Sequence, residues 1–180
     1  MTARDYAMQM HGDQKYGGDK PYVYHLDAVD AVLTEFGYNH KVYSDAAYLH
    51  DVLEDCCPTE EDLLRAREFI LTEYGPDVFR IVGFCTDSKV GFNRKERKAN
   101  TYNSWALLMG NTPLEYPWVT MAMRVKIADR IANVRQCLVD RPDLIGMYRK
   151  EAYDFRCALY AEGVHDAMWA EYDRLLPPKE

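Results

Sequence analysis

The sequence predicts an all-α protein. Apolar residues recur at helical spacing along nearly the whole chain, strand-like alternation is scarce, and Gly and Pro residues separate the periodic segments into about eight to ten helices. The 180 residues fit one domain, 1–180, with a proper core. No internal repeat, low-complexity tract or linker interrupts it.

The first helix is expected over 3–14, followed by a Gly-rich loop from Lys15 to Lys20 that ends at Pro21. A second is expected from His25 to Phe36, where Gly37 stops it, and a third over 42–55. Thr59 with Asp62 forms a capping pair for a fourth helix reaching Glu73. Tyr74-Gly75-Pro76 ends that helix, and Pro76 suits the first turn of a fifth, to about Thr86. Residues 87–94 read as a loop. The next helix runs to about Met109 and is broken by Gly110, Pro113 and Pro117, so 111–117 is the most flexible interior stretch. A long helix over 119–139 follows, ended by Pro142. Two C-terminal helices flank Gly163, and the last four residues, Pro-Pro-Lys-Glu, are expected to fray.

The formal net charge of −7 argues against broad nucleic-acid binding, which needs a basic footprint, but allows a small anionic ligand in a local basic pocket. The five cysteines show no C-x-x-C spacing, so neither a zinc knuckle nor a thioredoxin-type motif is expected. Reduced, mostly buried thiols in a cytoplasmic setting are expected instead. No signal-peptide stretch is read at the N-terminus, and no apolar run suits a membrane span.

The segment Ala46-Ala47-Tyr48-Leu49-His50-Asp51-Val52-Leu53-Glu54-Asp55 is the informative one. On a helix turning by about 100° per residue, His50 shares a face with Glu54 and Asp51 shares one with Asp55. The opposite side is small and apolar enough to bury. Buried charge requires pairing or a metal, while a solvated acidic face is the competing reading of this segment alone.

A second signal is Lys126, Asp129, Arg130 and Asn133, spaced i, i+3, i+4, i+7 as one polar stripe. Apolar residues flank it on both sides, which predicts a central helix whose stripe faces a site. An amphipathic surface helix with a basic–acidic ladder is the alternative. The third piece is Pro21-Tyr22-Val23-Tyr24-His25, in which spacing alone leaves His25 as readily structural as ligating.

Taken in order, these pieces resemble the HD-domain phosphohydrolases, an all-α helical bundle. The closest likeness is to the hydrolase domain of RelA/SpoT proteins and the stand-alone small alarmone hydrolases. Ala3-Arg4-Asp5-Tyr6-Ala7, His11, Gln14, Tyr74-Gly75-Pro76-Asp77-Val78, Cys85-Thr86-Asp87 and Glu96-Arg97-Lys98 extend the likeness through most of the chain. His-Asp alone says little; the specificity lies in the ordered set.

The resemblance implies one divalent metal ion, usually manganese, held by His25, His50, Asp51 and Asp129. It implies Glu54 and Asp55 as the catalytic pair and Asn133 as a nucleotide contact. Such ligands suit a borderline-hard cation that activates water and polarises a phosphoryl oxygen. The implied reaction is release of 3′-pyrophosphate from ppGpp or pppGpp, giving GDP or GTP. No alarmone synthetase segment is expected.

Three positions depart from the family pattern. Tyr16-Gly17 stands where an Arg-Lys pair usually helps hold base and phosphates, with Lys15 just before. Leu26-Asp27 replaces a small residue and Pro, and Cys56-Cys57 replaces a Thr. Tyr16 can stack on a base, so Lys15, Tyr16, Arg97 and Lys98 join Asn133 as expected substrate contacts. The clustered Lys89, Arg94, Lys95, Arg97 and Lys98 read either as a phosphate clamp or as a solvated helix start. A nucleophilic role for Cys56 or Cys57 needs an activating base and is not required. His11 is either a support for the site or a hydrogen-bonded core residue, while His40 and His165 read as loop or surface residues. Another nucleotide phosphatase, acting on the 2′-phosphate of NADPH or on a deoxynucleotide, is the second reading. A non-catalytic alarmone binder is the third, and loss of His-Asp or Glu-Asp would favour it; both are present.

Overall fold

The computed structural model describes residues 1–87, 89, 93–111 and 116–177. Parts of the expected loop 87–94, of the stretch 111–117 and of the tail 177–180 lie outside the described residues. Nine α-helices and one 3₁₀ turn make up the described chain, and its β pairing is limited to the isolated bridges Lys15–Pro21 and Ala161–Val164.

The first helix, α1 (Ala3–His11), starts where the Thr2 hydroxyl accepts the Asp5 N–H. It is shorter than expected because Gly12, at φ 50°, turns the chain away. The next helix, α2 (Val23–Glu35), ends before Gly37, as its sequence predicts. Asp27 receives a two-pronged ion pair from Arg4 at 2.8 and 3.0 Å and the Tyr48 hydroxyl at 3.0 Å. The Leu26-Asp27 departure thus ties α1, α2 and the following helix together.

The expected continuous helix over 42–55 is two helices, α3 (Lys41–Leu49) and α4 (Val52–Asp55). At the break, His50 Nδ1 lies 2.8 Å from the Ala47 carbonyl, the group a continuous helix would offer to the Asp51 N–H. An imidazole has taken a backbone acceptor.

Thr59 caps α5 (Glu60–Cys85) by accepting the Asp62 N–H at 3.1 Å. The helix is broken at Gly75 (φ 86°, ψ 172°), and Pro76 opens its second half, so the two expected helices are joined end to end. After α6 (Arg94–Asn111) comes α7 (Pro117–Asp140), which carries Pro in its first turn. The chain closes with the 3₁₀ turn Pro142–Leu144, α8 (Ile145–Leu159) and α9 (Asp166–Leu175), the last two separated at Gly163 (φ 73°).

The organising element is α7. Val119, Ala122, Met123, Val125, Ile127, Ala128, Ile131, Ala132 and Val134 are all buried, so both flanks of the helix are covered. It packs against α2, α3, α5, α8 and α9. One apolar core runs from Ala3 to Leu176. No helix among the described residues is long and apolar enough to cross a membrane.

The five cysteines are free; Cys57, Cys85 and Cys137 are buried, Cys56 half-buried and Cys157 exposed. His165 departs from its surface expectation. It is 7% exposed and accepts the Arg124 Nε–H at 3.1 Å. His40 is exposed, just ahead of α3.

Candidate functional site

Three helices deliver the polar cluster. His25 comes from the first turn of α2, His50 and Asp51 from the α3–α4 break, and Asp129 from the middle of α7. His25, His50 and Asp129 are buried and offer ligand atoms lying within 4.8 Å of one another. Asp51 joins them, its Oδ2 lying 3.5 Å from His25 Nε2 and 3.0 Å from His50 Nε2. Asp129 Oδ1 lies 3.4 and 3.7 Å from the same two nitrogens.

His50 Nδ1 faces a carbonyl, which only accepts, so Nδ1 carries a hydrogen and Nε2 is the nitrogen turned toward the two carboxylates. That buried Nε2 makes no hydrogen bond among the described residues, although two carboxylates lie close by. Burial disfavours a charged His50, yet Asp51 and Asp129 outweigh it and raise the imidazole to about 10. The same contest raises His25. The carboxyls of Asp51 and Asp129 lie well below their usual range: burial opposes this, and His50, with Lys126 for Asp129, overcomes it. Two carboxylates, Asp129 buried and Asp51 half-buried, converging on two buried imidazoles form a cluster that needs positive charge. Two nitrogens and two oxygens fit a borderline-hard divalent cation with room for further oxygen ligands.

A second layer orients the first. The Tyr22 hydroxyl donates to Asp51 Oδ2 at 2.6 Å, and its ring stacks on His11 at 4.1 Å. Asn133 Nδ2 donates to Asp129 Oδ1 at 2.5 Å, while Lys126 Nζ lies 3.3 Å from Asp129 Oδ2 and donates to the Cys85 carbonyl at 3.0 Å. Tyr16 donates its hydroxyl to Asn133 Oδ1 at 2.8 Å and stacks its ring on His25 at 4.7 Å.

The expected catalytic pair divides. Glu54 is half-buried, and its Oε2 accepts the Asp87 N–H at 2.9 Å. Burial, followed by the Asp87 charge, raises the Glu54 carboxyl above its ordinary value. Asp87 in turn pairs with Lys98, and its Oδ1 lies 4.0 Å from Lys126 Nζ. Asp55 is exposed and accepts from Gln14 Nε2 at 2.9 Å, and Gln14 Oε1 lies 2.8 Å from His11 Nδ1. His11 is thus a buried residue that also braces the loop carrying Gln14.

Among the expected substrate contacts, Asn133, Tyr16 and Lys98 enter this network. Lys15 and Arg97 are exposed, and neither side chain meets it among the described residues. Arg94 is drawn elsewhere, to Glu151, which also pairs with buried Arg130. The Cys56 thiol, pushed up to about 12 by burial and then by Asp55, is no ready nucleophile. The orienting roles of Tyr22, Lys126 and Asp87 do not emerge from sequence reasoning. Lys126 carries a signal in the polar stripe of α7, and Asp87 in the Thr86-Asp87 phrase.

Residues 3–154 match the family described as the HD domain. The chain belongs to the HD-domain family. This HD domain is 29% identical over 163 residues to a protein of Vibrio cholerae named guanosine-3′,5′-bis(diphosphate) 3′-pyrophosphohydrolase, with 89% of the chain and 21% of that protein aligned. A Haemophilus influenzae protein of the same name is 30% identical over 161 residues, covering 88% of the chain and 21% of the relative. The chain thus spans about a fifth of the length of these curated relatives. The Drosophila melanogaster protein guanosine-3′,5′-bis(diphosphate) 3′-pyrophosphohydrolase MESH1 is nearer in size, 29% identical over 156 residues with 85% of the chain and 77% of that protein covered. The fold is also that of a solved structure described as a metazoan ortholog of SpoT that hydrolyzes ppGpp. The two share a TM-score of 0.72 at 24% identity, over 96% of this chain and 90% of the other.

Proposed function

We propose that this HD domain is a metal-dependent (p)ppGpp 3′-pyrophosphohydrolase, acting in the cytoplasm on a small nucleotide. The observation that carries the reading is the convergence of buried His25, His50 and Asp129 with half-buried Asp51, beside a braced Glu54. The names of the relatives supply the substrate.

Those four side chains would hold one divalent ion, Mn²⁺ by family likeness. When bound, such an ion supplies Lewis acidity to a phosphoryl oxygen and acidifies water. Glu54 is the proton acceptor in this reading. One of its oxygens is held by the Asp87 N–H, the other remains to take a proton from the attacking water, and its raised carboxyl suits general-base work nearer neutral pH. Asp55, steadied by Gln14, assists at the rim. Lys126 keeps Asp129 ionised and fixed from the side away from the imidazoles.

Lys98, held by Asp87 next to Glu54, is the cation assigned to the phosphates. It is already paired with Asp87, so substrate exchanges one partner for another instead of meeting a free ammonium. Asn133 contacts the nucleotide. Lys15 and Arg97 are long-range attractors from exposed positions, with no fixed contact.

The test is product analysis of purified protein with Mn²⁺ and ppGpp. GDP and pyrophosphate in equal amounts, abolished by a chelator, is the expected result. Intact ppGpp alongside cleavage of NADPH or a deoxynucleotide keeps the metal centre and overturns the substrate. No metal binding overturns both.

A further inference from the structure

We infer that Tyr16 is a positioning residue that holds two of the four proposed metal ligands at once, His25 through its ring and Asp129 through Asn133. The inference rests on the metal-centre reading above. It gives a role to the residue standing where the family pattern has a cation.

The loop between α1 and α2 delivers Tyr16 in a fixed place. Backbone bonds from Tyr16 N to the Lys20 carbonyl at 2.9 Å and from Tyr22 N to the Gln14 carbonyl at 3.0 Å close it as a narrow hairpin. Gly17 and Gly18, at φ 58° and 73°, form its tip. Lys20 then pins the loop to the end of α7 through Asp140 at 2.5 Å. Tyr16 and Lys20 thus attach one loop to α7 at two points, Asn133 and Asp140.

The four ligand side chains are not equally anchored. His50 is fixed by its own Nδ1 bond to the Ala47 carbonyl, and Asp51 by the Tyr22 hydroxyl. His25 Nδ1, by contrast, is buried with no hydrogen-bond partner among the described residues. A ligating imidazole ordinarily gains its orientation from a bond at its other nitrogen. Here the ring is held by packing instead: the Tyr16 face at 4.7 Å and 24°, and the Tyr22 edge at 5.6 Å and 75°.

Asp129 Oδ1, the oxygen nearest the two imidazoles, accepts from Asn133 Nδ2. An amide can present either end. The Tyr16 hydroxyl donates to Oδ1 of Asn133, and that contact turns the amide so that its N–H group faces the carboxylate. The phenol has one O–H to donate, and it goes to the Asn133 oxygen.

The test is Mn²⁺ affinity of the nucleotide-free protein, read by calorimetry for wild type, Tyr16→Phe, Tyr16→Ala, Asn133→Ala and the Tyr16→Phe/Asn133→Ala pair. Tyr16→Phe keeps the ring on His25 and loses the hydroxyl, so its affinity should fall about 3–10-fold, at or below the low end for outer-shell partners. Tyr16→Ala should fall further. The double variant should bind no more weakly than Asn133→Ala alone, because the hydroxyl acts through the amide. On ppGpp, Tyr16→Phe should lower kcat with KM nearly unchanged. Wild-type Mn²⁺ affinity in Tyr16→Phe, or single effects that simply multiply in the double variant, would overturn the role. So would unchanged metal binding in Tyr16→Ala with only a raised KM, the signature of a base-stacking platform. If wild type binds Mn²⁺ but leaves ppGpp intact, the substrate reading fails while the affinity series still decides Tyr16. If wild type binds no Mn²⁺, the centre and the role fall together.

Discussion

At the scale of single residues, ligand and base are separable by substitution. Asp51→Ala removes a carboxylate within 3.5 Å of both imidazoles, so Mn²⁺ affinity should drop by more than the roughly 10–100-fold of an outer-shell change, and turnover with it. Glu54→Gln should retain the ion and lose about 10²–10⁴ in kcat, since only proton acceptance is altered. Equal metal loss in both, by metal analysis, would make Glu54 a ligand. His165 offers a pH test remote from the site. Burial, reinforced by Arg124, lowers its imidazole to about 4. The unfolded chain therefore takes up that proton first as pH falls. The stability is whole above about 6.5 and is lost progressively toward pH 4, on the order of 3 kcal/mol at most. His165→Asn keeps an acceptor for Arg124 and tolerates the left-handed backbone at φ 63°. Its unfolding free energy should depend less on pH between 6.5 and 4; identical slopes by denaturant titration would refute the assignment.

Helices show most clearly what a sequence can and cannot declare. Gly75-Pro76 is a visible break, and Gly75 sits at φ 86°, ψ 172°, a region essentially closed to side chains. A Cβ there would meet no atom within 4 Å, so Gly75→Ala should cost about 1–3 kcal/mol through backbone strain alone, read as a lowered Tm. The α3–α4 break was not visible. No Gly or Pro marks it, because its cause is a side chain taking a main-chain acceptor. The same limit applies to the site. The His-Asp and Glu-Asp pairs and the polar stripe of α7 were legible because each sits at short helical spacing. Tyr16 on Asn133 joins residues 117 apart, and the turning of Arg130 away from Asp129 to Glu151 depends on α8. Periodicity places a residue on a face but does not say which neighbour claims it.

Across the whole molecule, folding and ion binding are coupled. An ion held only by the native arrangement stabilises it, by about 2.7 kcal/mol at a hundredfold excess over Kd. Chelation should therefore lower the Tm of the wild type and leave Asp51→Ala unmoved; a wild-type Tm indifferent to Mn²⁺ and chelator would count against the centre. The other large feature is that α7 lies at the middle, buried on both flanks and tied to α2 and α9 through Arg135 with Glu35 and Glu171, and to α8 through Arg130 with Glu151. Its backbone amides can reach solvent only when most of the protein opens. Deuterium uptake should accordingly be slowest around Asp129 and Asn133. Heat should then abolish ion binding and fold in one event, with no intermediate in which the centre has come apart while the bundle still stands.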